Sequence, residues 1–405
     1  MPTFPSLDPV VGAPPVRVGA SLADARSGRG TVGLGHPRRA SRATPLGLAL
    51  LCAAGLFLST APLSAAVGWR EIPRQPAAWF ASDEAVAIAA NVRLYQTEAS
   101  GWPKNRDMTV APSAEFLADK ALDHRSATID NGATYTQIRF LAQVATAAEA
   151  DREANRAAAT KGLKYLLKAQ YENGGWPQYF PLRPGYYTHI TFNDDAMVNV
   201  LWLLRDVAAG EEPFAWTDAA LRARAAEAVE KGIACILRCQ IVVDGKKTAW
   251  CAQHDEVTFE PVPARAYEHI SLSGSESLGI VRFLMSLENP SPEVVAAVEG
   301  AVAWYEAAKL TGIRIDHPPA SDLAHGHDRV VVADPAAPPL WARFYEIGTN
   351  RPIFGGRDTV IRYNLAEVER ERRGGYRWYL DEPAKLLAKD YPKWRKNLAK
   401  RGVEP

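Results

Sequence analysis

Three tryptophans recur at a fixed interval in this chain, and that interval constrains the fold more than any other feature. Trp102 stands in "SGWPKN", Trp176 in "GGWPQY" and Trp250 in "TAWCAQ"; 176 − 102 = 74 and 250 − 176 = 74. Gln96 and Gln170 each precede their tryptophan by six residues. Such a period marks a supersecondary unit that buries its apolar face only by packing on its neighbours. A helical pattern precedes each Trp. Leu163, Leu166, Leu167 and Gln170 fall at i, i+3, i+4 and i+7, one face of a helix. "TDAALRARAAEAVEKGIACILRCQ" repeats the pattern with Thr217 as its expected N-cap, and Ser82 precedes "DEAVAIAANVRLYQ" in the same role. An irregular loop follows each Trp, and then a polar cluster opens a second helix. The openings are "DNGATYTQIRFL" from Asp130, "NDDAMVNVLWLL" from Asn193 and "SGSESLGIVRFL" from Ser273. Six helices in antiparallel pairs predict an all-α fold, an (α/α)3 toroid or incomplete barrel with irregular loops and minor β structure.

Beyond the third unit, "PEVVAAVEGAVAWYEAAKL" predicts one more helix, and a Pro-, Asp- and His-rich stretch to about Arg362 predicts loop with minor strand. "NLAEVERERRGGYRWYL" and "PAKLLAKDYPKWRKNLAK" predict charged surface helices at the end of the chain.

The first residues obey a different rule. Arg38, Arg39 and Arg42 precede the apolar run "LGLALLCAAGLFL", Leu46 to Leu58, and "APLSAA" follows, ending at Ala66. A basic region, a short apolar run and a small-residue site predict a secretory signal peptide, and the run is too short for a membrane span of about 20 residues. Residues 1–66 are therefore expected to be a leader and signal, and 67–405 the catalytic domain, secreted or periplasmic, with no stable membrane association after cleavage and a monomeric state. Removal of the leader leaves Cys235, Cys239 and Cys251. An odd number cannot all pair within one chain. "CQIVVDGKKTAWC" predicts a hairpin turning at Asp244-Gly245, and either a Cys239–Cys251 disulfide or buried free thiols fits it.

Charge narrows the partners. Lys and Arg number 47 against 46 for Asp and Glu, which argues against nucleic acid. In a toroid the equivalent loops gather at one end of the ring, so Asp130, Asp194 and Asp195 are expected to meet around one cleft. Ordinary helix capping is the alternative reading for each acid. Carboxylates gathered on loops are hard oxygen ligands that suit Ca²⁺. Arg265 precedes the third opening, and Arg343, Arg351 and Arg357 lie in "LWARFYEIGTNRPIFGGRDTVIRY". Arginine grips carboxylates through a bidentate fork. With the aromatics Trp176, Tyr179, Tyr186 and Tyr187, these arginines point to a carboxylated sugar, although pairing with local acids such as Glu346 and Asp358 also fits Arg343 and Arg357. His325 and His327 form an "HGHD" loop without metalloprotease spacing.

From about Trp69 to Tyr379 the chain resembles the pectate lyases of polysaccharide lyase family 10. The resemblance is carried by "GGWPQYFP", "ITFNDDAM", "WCAQHDEVTFEPVPARAYEHISLSGSES" and "PPLWARFYEIGTNRPIFGGRDTVIRY". It implies an (α/α)3 toroid that cleaves polygalacturonate, the backbone of pectin, by Ca²⁺-dependent anti β-elimination to 4,5-unsaturated oligogalacturonides. It implies Asp130 as a calcium ligand, Arg265 as the base, Asp194 near the cleft, and Arg343 and Arg357 on substrate carboxylates with Arg351 close by. Arginine stays protonated in water near neutral pH and so has no free lone pair to take a proton; Ca²⁺ and cationic neighbours are therefore expected to lower its pKa, and an alkaline optimum follows. Three rivals remain from the residues. The Gln170–Trp176 segment matches a motif of terpenoid cyclases, which are also α/α proteins. Paired acids serve glycoside hydrolases. A non-catalytic module would bind pectin and release nothing.

Overall fold

A computed structural model describes residues 67–118 and 126–402. The signal peptide and leader expected over 1–66 lie outside the described residues. Seven helices build the toroid: α1 (Asp83–Leu94), α2 (Tyr135–Ala147), α3 (Arg152–Ala169), α4 (Ala196–Ala209), α5 (Ala219–Cys239), α6 (Glu276–Met285) and α7 (Pro292–Ala307). The helices that follow the polar openings, α2, α4 and α6, pack in succession, and α1, α3, α5 and α7 pack in succession around them. Ser82 caps α1, its Oγ accepting from the Ala85 N–H at 3.2 Å. The cap of α5 is Asp218 rather than the expected Thr217: Asp218 Oδ1 accepts from the Leu221 N–H at 2.7 Å. The carboxylate adds a favourable charge at the helix N-terminus.

The three spaced tryptophans occupy one role. Each is fully buried. The indole Nε1–H of Trp102 donates to the Val92 carbonyl at 2.8 Å, that of Trp176 to Leu166 at 2.8 Å, and that of Trp250 to Ile236 at 2.7 Å. Each bond closes the end of the preceding helix onto its own turn, satisfying carbonyls that a helix terminus leaves unpaired. Trp341 takes the same part after α7, donating to the Tyr305 carbonyl at 2.8 Å.

The predicted hairpin forms, Val242–Val243 pairing with Lys246–Lys247 around Asp244 and Gly245, both at positive φ. Cys235, Cys239 and Cys251 are buried and free, so no Cys239–Cys251 disulfide exists. The end of the chain departs from expectation. The first segment expected as a surface helix forms only two short pieces, a 3-10 turn at Leu365–Glu367 and an α-helix at Arg370–Gly375. Tyr376 and Trp378 there enter a second apolar cluster with Tyr267, Phe344 and Phe354. In the second segment Tyr391–Lys400 is a helix that buries Trp394 and Leu398. Two short antiparallel pairings, Ile190–Thr191 with Gln253–His254 and Leu272–Ser273 with Phe344–Tyr345, tie the long loops together at the end of the ring that carries the polar openings. No helix among the described residues is long and apolar enough to cross a membrane.

Candidate active site

The first two polar openings do not cap their helices, α2 and α4, and in the third Ser273 Oγ accepts from the first N–H of α6, that of Glu276, at 3.2 Å. The acids are committed elsewhere. Asp130 is buried, one oxygen paired with the Lys104 ammonium and the other without a hydrogen-bond partner. Asp194 reaches Arg343, Oδ1 to Nη2 at 3.0 Å, and its Oδ2 accepts from Asn193 Nδ2 at 3.1 Å. The first two openings superimpose by backbone: Asn131 and Asp194 each sit in the left-handed region, at φ 51° and 52°, inside a three-residue turn. Asp130 therefore corresponds to Asn193, and Asp194 to Asn131. The two acids share a turn but stand one step apart in it. The two turns pack against each other.

From there a ring of contacts and longer-range electrostatic links runs on. Arg343 also binds the buried Glu276 carboxylate, and its guanidinium lies 4.8 Å from the Tyr376 ring. Tyr376 Oη donates to Glu268 Oε1 at 3.0 Å. Glu268 is buried and holds Arg265 by two bonds, Nε to Oε2 at 2.8 Å and Nη2 to Oε1 at 2.5 Å. Tyr186 lies within electrostatic reach of Arg265 and Glu268. Its ring is 4.1 Å from Tyr187, Tyr187 is 5.2 Å from Tyr179, and the Lys104 ammonium is 5.6 Å from Tyr179. Lys104 returns the circuit to Asp130. Asp130, Asp194, Arg265 and Arg343, which lie far apart in sequence, are thus linked through one series of neighbours.

The electrostatics of the ring are uneven. Burial opposes the charge of Arg265, but the hydrogen bonds and charge of Glu268 outweigh it and raise the guanidinium above the usual arginine pKa. The protein's own groups therefore act against the lowering expected from sequence. Arg343 is raised in the same way, burial being outweighed chiefly by Glu276. Burial and the nearby Glu276 and Asp194 carboxylates push Asp195 up to about 7.

Several expected site residues sit differently. Trp176 is fully buried and bonded to Leu166, so it supports the turn and offers no face to a sugar. Tyr179 is 3% exposed, packed between Tyr187, Arg183 and Lys104, so it orients cations around the cleft rather than forming an open platform. Asp195 packs its carboxylate over Gly279 of α6, where an added Cβ would lie 2.1 Å from Oδ1, and that oxygen is buried without a partner. It faces the helix packing rather than standing beside Asp194. Arg343 is 8% exposed, and its partners are Glu276 and Asp194 rather than Glu346. Arg357 is exposed and pairs with Glu371 at 3.1 Å, while Arg351 lies over Tyr363 at 3.6 Å, outside the ring. Arg357 connects to the ring indirectly, because Glu371 also binds Arg372, which lies 4.5 Å from the Tyr267 ring. Sequence reasoning did not single out Lys104, Glu268, Glu276, Arg372 or Tyr376. Glu268 carried a signal, three residues after Arg265 in a Pro-flanked loop. Tyr376 carried none, being 111 residues from Arg265 (376 − 265).

An α/α toroid whose loops gather acids, arginines and tyrosines around a polar cleft has the makings of a polyuronate-processing enzyme. The pectic acid lyase family model matches residues 96–387. Among solved structures, the family 10 polysaccharide lyase from Cellvibrio cellulosa is 34% identical, with a TM-score of 0.66, covering 80% of this chain and 97% of that one. An alanine mutant of that enzyme in complex with trigalacturonic acid is 33% identical, also with a TM-score of 0.66, covering 80% and 98%. No curated protein sequence matches the chain. The chain belongs to the pectate lyases of polysaccharide lyase family 10, and it is a lyase acting on a polysaccharide.

Proposed function

We propose that the chain cleaves polygalacturonate by calcium-dependent anti β-elimination, releasing 4,5-unsaturated oligogalacturonides outside the cytoplasm as a monomer. The observation that carries this reading is the cleft itself, with carboxylates at one end and a firmly held arginine at the other. The neighbouring enzyme's complex with trigalacturonic acid supports the substrate class.

The donor set fits Ca²⁺. Asp130 offers a buried carboxylate oxygen with no partner, Asp194 stands in the adjoining turn, and both are hard oxygen ligands. Asp130 and Asp194 would hold the ion, and Asp195 would not. When bound, Ca²⁺ supplies positive charge at the uronate carboxylate and so acidifies the adjacent C5–H. The chain's residues do the rest. Arg343 pins Asp194 and is itself fixed by Glu276, so it orients the ligand more than it meets the sugar. Arg265 commits Nε and Nη2 to Glu268, and Nη1 makes no hydrogen bond among the described residues. In the neutral form of the side chain, after its own proton has gone to water, that nitrogen takes the C5 proton. The C5 electron pair forms the C4–C5 double bond, and the bond from C4 to the glycosidic oxygen breaks with the electrons on oxygen. Arg357, with Arg351 near the same rim, meets carboxylates farther along the polymer.

The test combines polygalacturonate, Ca²⁺ and the ultraviolet absorbance of unsaturated uronates. Absorbance rises with time, stops with chelator and returns with Ca²⁺. Calorimetric Ca²⁺ binding in the presence of substrate is lost in Asp130→Ala. Full activity after exhaustive chelation would overturn the metal assignment, and reducing ends without absorbance would indicate hydrolysis.

A further inference from the structure

The Lys104 ammonium pairs with Asp130, and the residue also lines a cavity of about 730 Å³ together with Asn131, Gly132 and Ala133, which directly follow Asp130. That volume lies in the range of small-molecule sites, roughly 300–1,000 Å³. Arg70, Lys104 and Arg106 supply cations to its wall, and Asn105, Asn131 and Gln137 supply amides. Asn131 donates from Nδ2 to Asn105 Oδ1 at 3.2 Å. Gln137 is 2% exposed, and its carbonyl oxygen has no hydrogen-bond partner; neither has Arg106 Nε. Asp107 is the one acid among the described lining residues, and its Oδ1 is turned into its own loop, accepting from the Thr109 N–H at 3.0 Å and hydroxyl at 2.7 Å.

We propose that this cavity is an additional subsite for the same polymer, taking a galacturonate residue beyond the Asp130 end of the cleft, with its carboxylate on Arg70 and Arg106 and its hydroxyls on the amides. The proposal rests on the reading of the cleft as a polygalacturonate-cleaving site. Lys104 is already answered by Asp130, but a neutral sugar would leave Arg70 and Arg106 without an acid, whereas a uronate answers them with charge-assisted hydrogen bonds. Arg70 is exposed and forms no ion pair among the described residues, so a ligand does not have to displace an acid from it. The subsite makes catalytic efficiency depend on chain length.

The experiment measures kcat/KM on oligogalacturonates from the trimer to the octamer in wild type, Arg70→Gln, Arg106→Gln and the double variant. Efficiency on the longest chains falls about tenfold or more in the double variant, the worth of one or two charged hydrogen bonds. Efficiency on the shortest chains stays within about twofold, so the rise of efficiency with length flattens. Equal loss at every length, or no loss at any, overturns the subsite. Arg106 also lies over the Phe116 ring at 4.8 Å; should its variant fail to fold, Arg70→Gln alone carries the test. Octamer binding by calorimetry in an Arg265→Ala background reads the cavity without catalysis, and weaker binding with Arg70→Gln is expected there. Wild type that forms no unsaturated product from any oligomer refutes the lyase reading instead, and the calorimetric arm then still decides whether the cavity binds a uronate.

Discussion

At the scale of single residues, the question is why the arginine proposed as base should be gripped by a buried acid. Glu268 is 2% exposed and accepts from Arg265, from Tyr376 and from the Arg265 backbone N–H at 3.2 Å. A carboxylate taken out of water stays ionised only if it is paired, and here the pairing fixes the plane and direction of the guanidinium. The same charge keeps Arg265 protonated, which opposes its work as a base, so the rate should climb with rising pH. Two substitutions separate orientation from proton transfer. Arg265→Lys keeps a cation but moves nitrogen away from C5, and kcat should fall by roughly 10²–10⁴ with KM little changed. Glu268→Gln keeps much of the hydrogen bonding and removes the charge, so Arg265 loses the influence that raises it. Its kcat should fall while the alkaline limb of the pH profile moves to lower pH. A lower kcat with the limb unmoved would mean that Glu268 only supports the loop. Near-normal kcat in Arg265→Ala would end the base assignment altogether.

At the scale of elements, the loop between Trp250 and Arg265 is held by one histidine. His254 is fully buried; its Nε2 accepts from the Cys251 N–H at 3.0 Å and its Nδ1 donates to the Phe259 carbonyl at 2.8 Å. Burial pushes its pKa down from 6.5 to about 4. A depressed histidine is neutral when folded and charged when unfolded between these values. Its contribution to stability is therefore complete above pH 6.5 and is lost as the pH falls toward 4. The loss is on the order of 3 kcal/mol, from about 1.4 kcal/mol for each unit. Urea midpoints measured between pH 7 and 5 should fall, and the fall should be shallower in His254→Gln; an equal slope in both proteins would assign the effect to other groups. This loop also shows where sequence reasoning stops. That Asp130 and Asp194 fall in neighbouring turns was legible because polar clusters opened helices at repeated steps. Their exact correspondence was not, because a left-handed turn puts Asp194 opposite Asn131 and gives Asn193 the position of Asp130. Backbone handedness at Asp and Asn leaves no mark on composition or period. Burial of Trp176 and Tyr179 was equally hidden, since an aromatic in a turn reads the same whether it packs inward or faces a ligand.

At the scale of the whole molecule, the 74-residue period was legible because each unit needs the same tryptophan to close its first helix. The three-helix-pair toroid followed from it, but a second series of ties became visible only in the structure. Gln96 Nε2 donates to the carbonyls of Ser100 and Ala158, both at 2.9 Å; Gln170 to Gly174 at 3.0 Å and Ala228 at 2.8 Å; and Gln240 to Thr248 and Ala297, both at 2.8 Å. Each amide thus joins its own turn to the next helix of the outer layer, α3, α5 or α7. The sequence betrays only the first two, because 250 − 240 = 10 where the other two intervals are six: the hairpin at Asp244-Gly245 lengthens the third turn and masks the glutamine. Replacing any of the three by leucine keeps most of the volume but strands the turn carbonyl, while the helix carbonyl keeps its bond within the helix. An unsatisfied buried polar group costs about 1–3 kcal/mol, and the carbonyls near each amide are alike. Gln96→Leu, Gln170→Leu and Gln240→Leu should therefore each lower the urea midpoint by a comparable amount. The pair Gln96→Leu and Gln240→Leu, at opposite ends of the series with no shared partner, should lose the sum of the single effects within about 0.5 kcal/mol. The Gln170 single variant discriminates further. Its tie lies between the turn that carries Trp176 and α5, away from Arg265, so kcat in dilute buffer should hold while stability drops. A neutral result at Gln240 with losses at the other two would show that the hairpin has replaced the tie in the third unit rather than merely lengthened the turn around it.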